Sequence, residues 1–198
     1  MQATTAERLR AATEDLLIER GHHDVTLRDI TTRAEANVAA VGYHFGSKDA
    51  LVAEVYRTAL REATERQRQL LEQLPEGAPL EDVVRVWLAP ALHAPDIDPR
   101  LQRWWQLITR GMAEQAPALL EAVPDVHTAV DDHLIGRLAA ALPHLSRAEL
   151  HLRHDLVLRA VAALAPADGL PGTPGPAYLA DMLVTWIVGG LRAPATYA

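Results

Sequence analysis

No stretch of this sequence alternates apolar and polar residues for long enough to make a convincing strand, and that confines it to helices. Leucine, alanine, arginine and glutamate dominate, a helical composition by propensity, and there is a single phenylalanine. Helix-breaking residues come in clusters: residues 21–24, Pro75, Gly77 and Pro79, HAPDIDP at 93–99, Pro143, and PADGLPGTPGP at 166–176. These breaks leave eight or nine helices, so the expected fold class is all-α.

Several helix starts are marked. Thr4 with Glu7, Thr26 with Asp29 and Ser146 with Glu149 fit the Ser/Thr-x-x-acid capping box, and Asp98 before Pro99 is a cap with proline at the first helical position. The two serines of the chain, Ser47 and Ser146, both stand where a helix begins, so capping accounts for them and leaves no serine nucleophile.

The chemistry available is correspondingly narrow. With no cysteine among 198 residues there is no disulfide framework, Cys-ligated zinc, iron–sulfur cluster or thiol nucleophile. No Gly-rich phosphate loop, Gly-x-Ser-x-Gly elbow or His-Glu-x-x-His occurs, so neither enzymatic activity nor a cofactor is expected. His151, His154 and Asp155 could share a helical face and His22 adjoins His23, but without a third contributor no metal is expected. No apolar run reaches the roughly 18 residues of a membrane span. MQATTAERLR carries charges where a signal peptide would be apolar, so a cytoplasmic protein with no membrane partner is expected.

Charge narrows the search for a partner. The formal net charge is −7; residues 1–70 carry ten Lys/Arg against eleven Asp/Glu, and residues 71–198 nine against fifteen. No broad basic face exists, so any contact with nucleic acid must be local. Of the 19 basic residues 18 are arginines, and the one lysine, Lys48, lies in NVAAVGYHFGSKDAL at 37–51.

That stretch is the second half of a helix–turn–helix pattern. Residues 27–34 form a short helix capped by Thr26, residues 35–37 a tight turn, and residues 38–45 a second short helix. Val38, Val41 and Phe45 recur at i, i+3 and i+7, which predicts a buried face and turns Ala39, Ala40, Tyr43 and His44 outward. Small side chains at a helix start let the backbone approach base edges, and Tyr43 and His44 can reach phosphates. Lys48 follows at the start of the next helix, where its amine adds to the positive end of the dipole.

TLRDITTRAEANVAAVGYHFGSKDAL, at 26–51, resembles the signature of the tetracycline-repressor (TetR) family, over residues 5 to about 60. The resemblance implies an all-α homodimer: an N-terminal three-helix DNA-binding head with a helix–turn–helix (residues 1–48) and a C-terminal helical domain for effector binding and dimerisation (residues 49–198). It implies phosphate contacts from Thr26 and Arg28, base contacts from Asn37, Ala39 and Ala40, and a backbone clamp from Tyr43, His44 and Lys48. Three positions depart from the family's pattern. Glu35 stands where a glycine is usual, Ala36 shrinks an apolar plug, and Gly42 lowers helix propensity by about 1 kcal/mol relative to alanine. A left-handed Glu35 would add strain of roughly 1 kcal/mol.

The helix from Ser47 to about Leu74 would span roughly 40 Å. Its first half carries Leu51, Val55, Ala59 and Ala63 on one stripe suited to packing on the head, and its second half, ERQRQLLEQL, is highly charged. Farther on, Trp87, Arg103, Trp104, Leu107, Thr109, Arg110 and Met112 lie on two helices; they are either core aromatics with their neighbours or the lining of a pocket for an apolar or amphipathic effector. Two late apolar helices, with Leu150, Val157 and Val161 on one and Leu179, Met182, Leu183 and Trp186 on the other, suit a homodimer's four-helix contact or a central intramolecular position. The reading that follows is a transcriptional regulator: a repressor released from a palindromic double-stranded DNA operator by a small molecule. The alternative is a ligand-binding or interaction protein of the same fold with weakened DNA binding.

Overall fold

A computed structural model of the chain describes residues 3–89, 99–164 and 176–195. The architecture is all-α. Among the described residues there are nine helices and no strand: α1 (Thr5–Arg20), α2 (Leu27–Arg33), α3 (Val38–Phe45), α4 (Lys48–Gln73), α5 (Leu80–Leu88), α6 (Pro99–Ala113), α7 (Pro117–Ala141), α8 (Arg147–Leu164) and α9 (Pro176–Arg192). The Asp98 cap and nearly all of the 93–99 and 166–176 loops lie outside the described residues.

The other expected caps are formed. At α1 the Glu7 N–H donates to Thr4 Oγ1 (3.2 Å) and the Thr4 N–H to Glu7 Oε2 (2.7 Å). At α2 the Asp29 N–H donates to Thr26 Oγ1 (3.2 Å) and the Thr26 N–H to Asp29 Oδ2 (3.0 Å). Each box satisfies two donors that the helix itself cannot. Hydrogen bonds from Thr26, side chain and backbone, hold the Asp29 carboxyl below its ordinary range. Ser47 and Ser146 accept from the Ala50 and Glu149 N–H groups (3.0 and 3.2 Å).

The chain divides into two compact units, Met1–Arg61 with Trp104–Val126, and Glu62–Arg103 with His127–Ala198. By packing, the first unit thus takes in the start of α4 and most of α6, beyond the 1–48 segment delimited from sequence. The reason is the stripe on α4: Leu51, Val55 and Ala59 are buried in one core with Leu9, Leu16, Leu17, Ile30 and Val41. Leu107 of α6 and Leu119 of α7 join that core fully buried.

Two glycines allow this close packing within the first unit. A Cβ on Gly111 would stand 2.7 Å from Leu119 Cδ2 and 2.9 Å from the Tyr56 hydroxyl oxygen. Tyr56 is 1% exposed, and burial pushes its hydroxyl up to about 12. Gly21, at φ +86°, ends α1 where a Cβ would collide with the Glu114 carboxylate. That carboxylate accepts the His22 N–H (2.5 Å) and pairs with Arg110 Nε (3.0 Å). Arg110 Nη1 in turn donates to the carbonyls of Ile18 (2.7 Å) and Glu19 (3.2 Å), at the C-terminal end of α1.

In the second unit α5 buries Leu80, Val83, Val84, Trp87 and Leu88, and packs on α9. The Arg85–Asp181 (2.8 Å) and Arg192–Glu81 (2.9 Å) pairs that flank this contact are exposed and contribute little. Trp87 stacks on the buried His154 ring, centroids 5.0 Å apart at 17°. Arg137 donates to the carbonyls of Leu71, Leu74 and Pro75 at the end of α4 (2.8, 2.8 and 2.9 Å). Arg153 does the same for α9, donating to the Gly190, Leu191, Ala193 and Pro194 carbonyls while Glu149 holds it at 2.6 Å.

The Gly111 contact is testable. Gly111→Ala forces Tyr56 or Leu119 to shift, and the expected loss is about 1–3 kcal/mol. Urea unfolding followed by circular dichroism should show a lower midpoint; an unchanged midpoint would mean that the helices part at no cost.

Candidate nucleic-acid interface

Helix α2 begins with Thr26 at its cap and Arg28 exposed beside it, and α3 begins with Asn37. Asn37 caps α3 through Oδ1, which accepts the Ala40 N–H at 2.8 Å. Its amide NH2 is not used by the cap. Along α3, Val41 is 1% exposed and anchors the helix, Ala39 is exposed and Ala40 half-buried. Tyr43 is 86% exposed, its ring edge-on to the exposed His44 with centroids 4.9 Å apart. Phe45 is half-buried with the Arg10 guanidinium 5.8 Å over its ring.

Val38 departs from the expected buried face: it is 56% exposed. It occupies the first position of α3, a turn before Val41, where the helix has already run past the edge of the core. The apolar floor of α3 is therefore Val41 with part of Phe45.

The turn between the helices explains Glu35. Its φ is +48°. The Glu35 N–H donates to the Thr32 carbonyl (3.3 Å) and the Ala36 N–H to the Thr31 carbonyl (3.0 Å), the paired bonds of a Schellman motif that places Glu35 at the left-handed position. Arg8 closes the same helix end, its Nε donating to the Ala34 carbonyl at 3.0 Å. The strain of roughly 1 kcal/mol conditional on a left-handed Glu35 therefore applies.

Ala39, Ala40, Asn37, Tyr43 and His44 surround an open depression of about 440 Å³. Thr5, Arg8, Glu35 and Ala36 complete its rim. Sequence reasoning did not place Thr5 and Arg8 there; no local signal brings the start of α1 to the start of α3. Lys48 lies apart from this rim, half-buried, with Nζ donating to the Val25 carbonyl at 2.8 Å. Its amine is thus positioned by the loop that precedes Thr26.

Sequence comparison assigns both parts of the chain. The model described as "Bacterial regulatory proteins, tetR family" matches residues 9–55. The model described as "Tetracyclin repressor-like, C-terminal domain" matches residues 85–190, more than half of the chain. The chain belongs to the TetR family.

Solved structures agree in fold. Salmonella enterica GusR is 19% identical, with 96% of each chain covered and a TM-score of 0.65. A candidate transcriptional regulator from Saccharomonospora viridis, solved in complex with choline, is 19% identical, with 96% of this chain and 97% of that one covered and a TM-score of 0.69. A transcriptional regulator from Rhodococcus sp. Rha1 is 26% identical, with 96% and 99% covered and a TM-score of 0.62. No curated protein matches the chain in sequence. The fold is that of a DNA-binding transcriptional regulator, a family whose members bind DNA and effectors and dimerise.

In this TetR-family chain the expected effector residues are not gathered within either unit. Trp87 is in the core of the second, whereas Leu107 is in the core of the first with Trp104 and Met112 packed on it. Arg103 is half-buried. The Thr109 hydroxyl donates to the Trp105 carbonyl at 2.8 Å, and Arg110 is engaged on α1 and Glu114, so a ligand at either would have to displace a protein partner.

The expected dimer residues also separate. Leu150 (0% exposed) and Val161 (4%) are buried in their own unit, with Val157 and Leu183 nearly so, and have almost no surface to give a partner. The Leu179 side chain lies outside the described residues. Met182 and Trp186 are exposed, and so are Leu152 and Leu156 of α8 and Tyr178 of α9. Spacing alone does not say which of two apolar stripes on a helix faces inward.

Gly42 gives a clean test of α3. No atom lies within 4 Å of a Cβ built there, so Gly42→Ala should raise stability by about 1 kcal/mol. A higher urea midpoint checks this; a lower one would mean that α3 is not the regular helix described.

Proposed function

We propose that the chain is a cytoplasmic, homodimeric transcriptional repressor that binds a palindromic operator and leaves it when a small apolar or amphipathic molecule binds the C-terminal domain. The observation that supports this best is α3 itself. It presents Asn37, Ala39, Ala40, Tyr43 and His44 around one depression, on a helix whose opposite face is anchored by Val41.

In this reading Ala39 and Ala40 bring the helix backbone against base edges, and the Asn37 amide donates to them. Thr26, Arg28, Tyr43, His44 and Lys48 hold phosphates. Lys48 would exchange the Val25 carbonyl for a phosphate oxygen, or reach one while keeping it, since an ammonium has three donors. Two heads in a dimer would read half-sites one helical turn apart, about 34–36 Å, so an effector that alters their separation releases the DNA. A protein of this fold holds choline in its crystal, which supports a small-molecule effector. Among the described residues no helix is long and apolar enough to cross a membrane.

The exposed Leu152, Leu156, Tyr178, Met182 and Trp186 support α8 and α9 as the dimer contact. Trp186→Glu puts a charge at a residue that is 62% exposed in the protomer, so folding should survive while association fails. Light scattering should give a dimer for the parent and a monomer for the variant; a dimeric variant would place the contact elsewhere.

A second reading is favoured by Glu35, whose carboxylate stands on the same rim: a ligand-binding protein of this fold whose DNA reading has weakened. Selection of genomic fragments on the purified protein, followed by fluorescence anisotropy of the best fragment across a salt series, separates the two. Enrichment of one inverted repeat supports the repressor, and no enrichment by folded dimer supports the alternative. With the enriched fragment, Lys48→Ala should make the salt slope shallower by about one unit; an unchanged slope would remove Lys48 from the interface.

A further inference from the structure

We infer that Glu35 is a specificity-determining residue, whose carboxylate selects operator half-sites presenting an exocyclic amino group, from cytosine or adenine, in the major groove. The inference rests on the DNA-binding reading given above and goes beyond it.

Three observations lead there. Glu35 is exposed on the rim of the depression that Asn37, Ala39, Ala40, Tyr43 and His44 form, so DNA docked on α3 meets it. It holds φ +48° at the Schellman position of the turn, where glycine costs nothing and a glutamate is strained. Strain of this kind at a surface turn points to a use for the side chain. Finally, the carboxylate has no ion pair or hydrogen bond among the described residues, even though Arg8 stands on the same rim. Arg8 is occupied by the carbonyls of Ala34 (3.0 Å) and Ala3 (3.3 Å) and by the Thr5 hydroxyl (3.5 Å).

An ionised carboxylate only accepts hydrogen bonds. Phosphates offer it nothing but repulsion, and guanine N7 and O6 and thymine O4 are acceptors too. The major-groove groups that can donate to it are cytosine N4 and adenine N6. Glu35 therefore discriminates in two ways, by a contact to an amino group and by a desolvated like-charge clash where an acceptor stands in its place.

The test compares the full-length protein with Glu35→Gln and Glu35→Gly by genomic-fragment selection, then measures anisotropy on the enriched repeat and on versions changed at each symmetric pair of positions. The parent should prefer cytosine or adenine at one such pair by about tenfold; Gly should lose that preference, and Gln, which can also donate, should tolerate guanine or thymine there, both keeping the rest of the repeat. Gln keeps the shape and an acceptor but can also donate, and Gly removes the side chain and its strain, so discrimination relaxed by Gln and abolished by Gly assigns the preference to the carboxylate. If all three proteins share the same preference at every position and the variants only bind all sequences more tightly, Glu35 merely repels phosphate and the inference fails. A parent that enriches no sequence overturns the DNA-binding reading itself, a different result from enrichment that Glu35 does not influence.

Discussion

A helix of seven or eight residues does not persist alone in water, because the cost of its first turn is spread over too few hydrogen bonds. Helices α2 and α3 are of that length, so everything the head shows to the outside depends on the apolar floor beneath them. That floor is built from Leu9, Leu16 and Leu17 of α1, Ile30 of α2, Val41 of α3, and Leu51, Val55 and Tyr56 of α4. Val41 is the one fully anchored residue of α3, and its burial leaves Ala39, Tyr43 and His44 outside on the same helix. The capping boxes refine this arrangement by fixing where each helix starts.

What could be read from the sequence follows from range. Thr4 with Glu7, Thr26 with Asp29, Ser47 and Ser146 act on backbone groups three residues away, so their caps were legible. The α4 stripe was legible because a 26-residue helix repeats its pattern enough to define a face. Val38 was misplaced because an eight-residue helix defines its face with two or three side chains, and its first turn overhangs. The placement of most of α6 in the first unit was not legible at all. It depends on Gly111 meeting Tyr56 and on Glu114 meeting Gly21, contacts between residues some 55 and 93 positions apart. The rim of the candidate interface shows both sides: α3 supplied its expected members, and Thr5 and Arg8 arrived through the fold.

The arginines illustrate a second limit. By their place in the sequence Arg103 and Arg110 were candidates for the lining of an effector pocket, since a long cation near tryptophans invites that reading. Arg110, Arg137 and Arg153 instead donate to carbonyls at the C-terminal ends of α1, α4 and α9. Those carbonyls have no partner within their helix and sit at its negative pole. A guanidinium carries five donors in a rigid fork, so one side chain can meet three or four of them, which an ammonium on a flexible stem does poorly. Such clamps help to explain how a chain with one lysine uses eighteen arginines while keeping a net negative charge.

That charge balance bears on how the head would work on DNA. Residues 1–70 are close to neutral, and residues 71–198 carry nine basic against fifteen acidic side chains. At physiological salt the field of an exposed charge fades within about 8 Å, so what a bound phosphate would meet is the charge close to it and not the net charge of the chain. A near-neutral head nevertheless lacks the broad cationic surface from which generic DNA affinity comes. Its binding must then rest more heavily on contacts to base edges, which random sequence does not provide. A carboxylate on the rim would fit that balance if, as proposed, it lowered affinity for wrong sites more than for the right one.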